Sequence, residues 1–64
     1  MKAAEIRSLS VKEIESEVAK RRRELLDLRF QAAIGQLTDN HRIRRLRREV
    51  ARFLTVRRQK ELGQ

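Results

Sequence analysis

Residues 41–58, HRIRRLRREVARFLTVRR, hold the side chains with the most chemistry to offer: eight arginines in eighteen positions. A guanidinium is a permanently charged planar fork, suited to bidentate contacts with phosphate oxygens and to stacking on base faces. It does not exchange protons near neutral pH, so a strip of such groups binds anions and performs no acid–base work. The other functional groups add little. His41 is the single histidine, with no cysteine, second histidine or clustered carboxylate near it. It reads as a residue of a capping turn within reach of phosphate, and no metal site or cofactor is expected. Glu13, Glu15 and Glu17 point around a helix and form no acid–base pair. With neither a nucleophile–base constellation nor a glycine-rich phosphate loop, catalysis is not expected.

The elements that must position the strip follow from the apolar spacing. Proline is absent, glycine occurs only at 35 and 63, and strand-type alternation is missing. Two helices meeting near Gly35 are therefore expected. Ser10-Val11-Lys12-Glu13 has the form of a capping box, with Leu9 and Ile14 at the positions of a hydrophobic staple. Positions 11, 14, 18, 25, 28 and 32 then make a heptad-like seam, interrupted by Arg21. Gly35, able to turn left-handed, ends this helix. Asp39 caps the next, whose seam is Ile43, Leu46, Val50, Phe53 and Arg57, with Leu54 beside it.

A connection this short folds the helices back antiparallel. The expected class is all-α: a coiled-coil-like antiparallel two-helix hairpin forming one domain over residues 1–64. Its parts are an N-terminal arm or helical turn (1–9), a first helix (10–34), a loop (35–38), a second helix (39–61) and a tail (62–64). Pairing outward from the loop sets Ala32 against Ile43, Leu28 against Leu46 and Leu25 against Val50. At the open end Val18 meets Arg57, so that end is expected to be the weaker one.

On a helical wheel, Ile43, Leu46, Val50, Phe53 and Leu54 fall within one arc of about 100°. Arg44, Arg45, Arg47, Arg48, Arg52 and Arg58 fall within another of about 160°. The second helix thus has two faces, one for its neighbour and one presenting guanidinium. Arg42 and Arg57 lie outside the cationic arc, as flanking charges. A merely solvated face would mix lysine with glutamate. Here thirteen of seventeen bases are arginine, and the run Arg44–Arg48–Arg52 places like charges at i,i+4, where they destabilise a helix. Arg42 and His41 also stand in the first turn, where the helix dipole disfavours cations. The expected nucleic-acid-binding residues are Arg42, Arg44, Arg45, Arg47, Arg48, Arg52 and Arg58, and the spacing leaves RNA and DNA both open.

Composition names the partner class. The net charge is +8, with a pI near 11.5. Residues 1–37 carry eight bases and six acids, a net +2, whereas residues 38–64 carry nine and three, a net +6. The first helix can balance itself through i,i+4 pairs such as Lys20–Glu24; the second cannot. Nucleic acid is favoured over an anionic membrane. Zinc-finger cysteines, helix-turn-helix spacing and a leucine zipper beyond the basic region are all missing, as are the aromatics of single-strand binders. No run has the length of a transmembrane helix, and MKAAEIRSLS lacks the apolar stretch of a signal peptide. The absence of cysteine fits a reducing cytosol. A chain this short buries only roughly 60% of the surface its unfolded form exposes, so a partner is expected to complete its ordering.

Leu26, Phe30 and Ala33, with Ile34 at the edge, form a second apolar stripe displaced from the seam. Either the N-terminal arm (through Ile6 or Leu9) or the loop residue Leu37 folds over it, or it contacts a protein or RNA.

LRFQAAIGQL (28–37) followed by HRIRRLRREVAR (41–52) resembles the bacterial large-ribosomal-subunit protein twenty-nine family, as do the opening MKAAEIRSLS and the helix after it. The resemblance covers essentially the whole chain. It implies that the partner is RNA, with a helical hairpin bound to ribosomal RNA of the large subunit, in the cytoplasm, near the nascent-peptide tunnel exit. It also implies ribosomal protein twenty-three as a neighbour, with chaperones or targeting factors docking nearby. Family members often carry asparagine-proline where this chain has Asp39-Asn40; aspartate still caps, without the rigid start proline gives. Two other readings are a coiled-coil adaptor whose main partner is a protein, and a membrane-surface amphipathic helix. Charge reversal at Arg44, Arg48 and Arg52 would be tolerated by the adaptor, and liposome binding without RNA binding would mark the third.

Overall fold

The computed structural model describes residues 2–36 and 39–63. Its helices are α1 (Ala3–Arg7), α2 (Val11–Ala33) and α3 (Asn40–Glu61). Glu15 near the start of α2 reaches Arg57 near the end of α3, and Glu24 farther along α2 reaches Arg42 in the first turn of α3. The two long helices are therefore antiparallel, and the all-α hairpin expected from the spacing is what forms. The molecule is a rod of 45 × 18 × 15 Å.

Local chemistry sets each boundary. Ser10 Oγ accepts the Glu13 amide at 3.2 Å while Glu13 Oε1 accepts the Ser10 amide at 3.2 Å, closing the capping box. Such a cap contributes about 1 kcal/mol. At the other end of α2, Gly35 adopts φ 82°. Its amide donates to Ala32 O at 3.2 Å, and the Gln36 amide donates to Gln31 O at 2.9 Å. This pair of bonds is the Schellman motif, which uses up carbonyls left free by the last turn. Asp39 Oδ1 caps α3 by accepting the Arg42 amide at 3.1 Å.

The core runs opposite to the expected gradient. Ile6, Ile14, Val18, Phe53 and Val56 are buried as one cluster, with Leu9, Val50 and Leu54 packed against it. That cluster lies at the open end, which the seam pairing marked as the weaker. Two features overturn that expectation. The segment before Ser10 forms α1 and buries Ile6 to 1% exposure. Val56, not Arg57, is the buried residue of α3 there, because α1 gives this part of the helix a second neighbour to pack on. Toward the loop, Leu25 and Leu46 are buried, Leu28 and Ile43 are half-buried, and Ala32 is exposed.

Arg21 does not interrupt the seam but bridges it. Its guanidinium lies over the Phe53 ring, 4.5 Å from the centroid. Nε donates to Glu49 Oε2 on α3 at 2.8 Å, and Nη1 donates to Glu17 Oε2 at 2.6 Å and Glu17 O at 3.1 Å. Desolvation opposes this charge, yet the bonds to Glu17 and Glu49 outweigh it and the arginine pKa is raised. Lys20 pairs with Glu17 at 3.6 Å rather than with Glu24, which faces Arg42 instead.

The hydrogen bond from Arg21 also holds the Glu17 carboxyl below its ordinary value of 4.5. A folded-state pKa below the unfolded one gives stability that is fully present above the unfolded value and is lost as pH falls through the folded one. The melting temperature is therefore expected to hold from neutral pH to about pH 5 and to drop in more acidic buffer. Circular dichroism melts of Glu17→Gln should show a smaller acid drop than the parent chain. An equal drop in both would place the acid sensitivity on other carboxylates.

Candidate nucleic-acid interface

α3 carries the strip because its apolar residues are spent on one side. Leu46, Phe53 and Val56 are buried, and Arg44, Arg45, Arg47, Arg48, Arg52 and Arg58 are exposed along the rest of the helix. Among the described residues, Arg44, Arg45, Arg47, Arg48 and Arg58 form no ion pair. Arg44, Arg48 and Arg52 stand one turn apart, at a rise of about 6 Å each. No acid lies in the first turn of α3 itself; the Asp39 cap and Glu24 from α2 are the carboxylates that meet its positive end. Arg58 and Lys60 lie in the last turn, where that dipole favours them.

Arg42 and Arg57 are set apart from the strip. Arg42 Nε donates to Glu24 Oε1 at 2.6 Å, and Nη2 donates to the same oxygen. Arg57 Nε donates to Glu61 Oε1 at 3.1 Å, with Glu15 Oε1 3.9 Å from Nη1. Both are partly exposed, and such pairs are worth only about 0–1 kcal/mol, so a phosphate can displace the carboxylate.

One contributor was not visible in the hairpin pattern. Arg7, in the last turn of α1, lines a cleft together with Arg48, Arg52 and Val56. α1 thus extends the cationic surface beside the C-terminal half of the strip. Only the folding of residues 3–7 onto α3 brings Arg7 there, and spacing within the two long helices carries no trace of it.

The two long sides of the hairpin differ in chemistry. One groove is lined by Lys20, Arg21, Glu24, Arg42, Arg45, Leu46 and Glu49, and the chain's own acids cross it. The other is lined by Arg22, Leu25, Leu26, Arg29, Arg47, Val50, Ala51 and Leu54, with no acid among them. Leu26 is 66%, Phe30 64% and Ile34 54% exposed, and Ala33 is exposed too. The N-terminal arm does not cover this stripe, because Ile6 and Leu9 are used at the opposite end of the rod. Leu37, the other residue considered for that role, lies outside the described residues.

His41 is exposed on α3, and among the described residues no group of three or more histidine, cysteine or acidic side chains could hold a metal ion. No described helix is long and apolar enough to cross a membrane.

A helical hairpin that packs through one face and leaves a row of guanidinium groups on another is a small, strongly cationic helical protein. Residues 4–60 match the family described as Ribosomal L29 protein, and the chain belongs to that family. It is 58% identical over 52 residues to the large ribosomal subunit protein uL29 of Thermus thermophilus, covering 81% of this chain and 78% of the relative. The protein of that name from Thermobifida fusca is 52% identical over 61 residues, covering 95% of this chain and 72% of its own length. The Corynebacterium diphtheriae protein is 48% identical over 61 residues, covering 95% and 80%.

Proposed function

We propose that this chain is a structural, non-enzymatic component of the large ribosomal subunit in the cytoplasm. It binds ribosomal RNA through Arg44, Arg45, Arg47, Arg48, Arg52 and Arg58, flanked by Arg42. Family membership supports the ribosomal assignment, and the observation that carries the RNA contact is the guanidinium strip opposite the packed face of α3. Five of its arginines have no carboxylate partner among the described residues, so phosphate oxygens meet no internal competitor there. Arginines set along a rigid rod bridge phosphates that otherwise repel one another, and each contact releases condensed counterions. The proposal extends to a location near the tunnel exit, beside ribosomal protein twenty-three and within reach of chaperones or targeting factors, as the resemblance implies.

The contact is tested by titrating the chain with a fragment of large-subunit RNA at several salt concentrations. If about six phosphates are engaged, log K falls against log salt with a slope of roughly −4 to −5. A slope near zero would remove the charge-neutralisation mechanism. Sedimentation of tagged protein with intact large subunits tests the assignment itself, and failure to co-migrate would refute it.

A further inference from the structure

We propose that the groove bearing Arg22, Arg29 and Arg47 docks an acidic amphipathic helix of a protein partner, on a face that meets the RNA-binding strip only at Arg47. Its floor is apolar, made by Leu25, Leu26, Val50 and Leu54. Phe30 and Ile34 continue an exposed apolar surface along α2 toward the loop. Arg22 and Arg29 stand two turns apart on α2, separated by about 10 Å along the axis, and Arg47 rises from α3 on the other wall. None of these three forms an ion pair among the described residues.

Comparison with the opposite groove identifies the occupant. There the chain supplies its own acids, Glu24 to Arg42 and Glu49 to Arg21, and the two helices are tied together across the gap. Here no acid lines the groove, so the complementary charge must come from another molecule. The apolar floor selects its class. A ribose-phosphate backbone has no apolar ridge to set against Leu25, Leu26 and Leu54. An amphipathic helix has such a ridge, at positions i, i+3, i+4 and i+7, and carries acids on both flanks of it. Apolar residues of the incoming helix cover the floor while its carboxylates meet Arg22 and Arg29 on one wall and Arg47 on the other. The exposed leucine and phenylalanine of α2 are covered in the same step.

The test uses the full chain and a fluorescein-labelled helical peptide of about five turns, with leucines at those ridge positions and glutamates on both flanks. A second peptide carries lysine in place of each glutamate. Fluorescence anisotropy should show the glutamate peptide binding at least about tenfold tighter than the lysine peptide. Arg22→Gln/Arg29→Gln should weaken it about tenfold, and Leu26→Ala severalfold. All three positions are exposed, and circular dichroism confirms that the variants keep their helices. Arg44→Gln/Arg48→Gln/Arg52→Gln should change peptide binding by less than about threefold.

Equal affinity for the two peptides would overturn the proposal. So would a larger loss in the Arg44/Arg48/Arg52 variant, which would reduce the effect to net charge. An RNA fragment that displaces the peptide and loses affinity equally on Arg22→Gln/Arg29→Gln would reassign the groove to RNA. The peptide variants probe Arg22 and Arg29, which lie outside the strip on α2, so failure of the RNA reading leaves this test intact, and the reverse holds too.

Discussion

Replacing Phe53 with alanine is expected to remove most of the fold's stability. Its side chain is fully buried at the junction of all three helices, within the cluster that includes Ile6, Ile14, Val18 and Val56. Truncating a buried phenylalanine costs about 3–5 kcal/mol, part lost transfer energy and part unfilled cavity. The ring is also the surface on which the Arg21 guanidinium rests, so its loss strips that charge of one partner inside the packing. A chain of this length has a total stability of only about 3–10 kcal/mol. Phe53→Ala should therefore lose its cooperative melt, or show it at a far lower urea concentration. Phe30→Ala removes the same atoms from a site that is 64% exposed, and should shift stability by no more than about 0.5 kcal/mol. Similar losses in the two variants would mean that the core is not organised around Phe53.

The same cluster shows where sequence reasoning reached and where it stopped. Ser10 with Glu13, Asp39 and Gly35 were legible because caps and a helix-ending glycine are local, written within about four residues of chain. The seam was legible through Ile14, Val18, Leu25 and Leu46 because one neighbour buries one stripe. Val56 was not, since its burial depends on α1, and five residues are too few to display a helical period. Arg21 read as a break because its charge hides a long stem and a planar head that pack well on an aromatic ring. In the candidate interface, the segregation of arginines on α3 was plain from spacing. The engagement of Arg42 by Glu24, eighteen positions away, and the arrival of Arg7 beside Arg48 both required the tertiary fold.

Neutralising the strip is expected to weaken RNA binding while making the protein itself more stable. Arg44, Arg48 and Arg52 form two successive i,i+4 pairs of like charge on one face of α3. Each such pair costs a helix about 0.2–0.5 kcal/mol, and glutamine keeps a comparable helix propensity without the charge. Arg44→Gln/Arg48→Gln/Arg52→Gln should thus gain up to about 1 kcal/mol in urea melts of the free chain. Each phosphate contact contributes roughly 0.7–0.9 to the salt slope. Losing three should flatten the slope by about 2–3, and at about 0.1 M salt it should lower affinity for a large-subunit RNA fragment on the order of a hundredfold. The opposite signs make the test discriminating. General damage to the fold would lower both quantities, and a strip that only solvates the helix would leave affinity unchanged. Only a face whose repulsion is relieved by phosphate loses RNA and gains stability together.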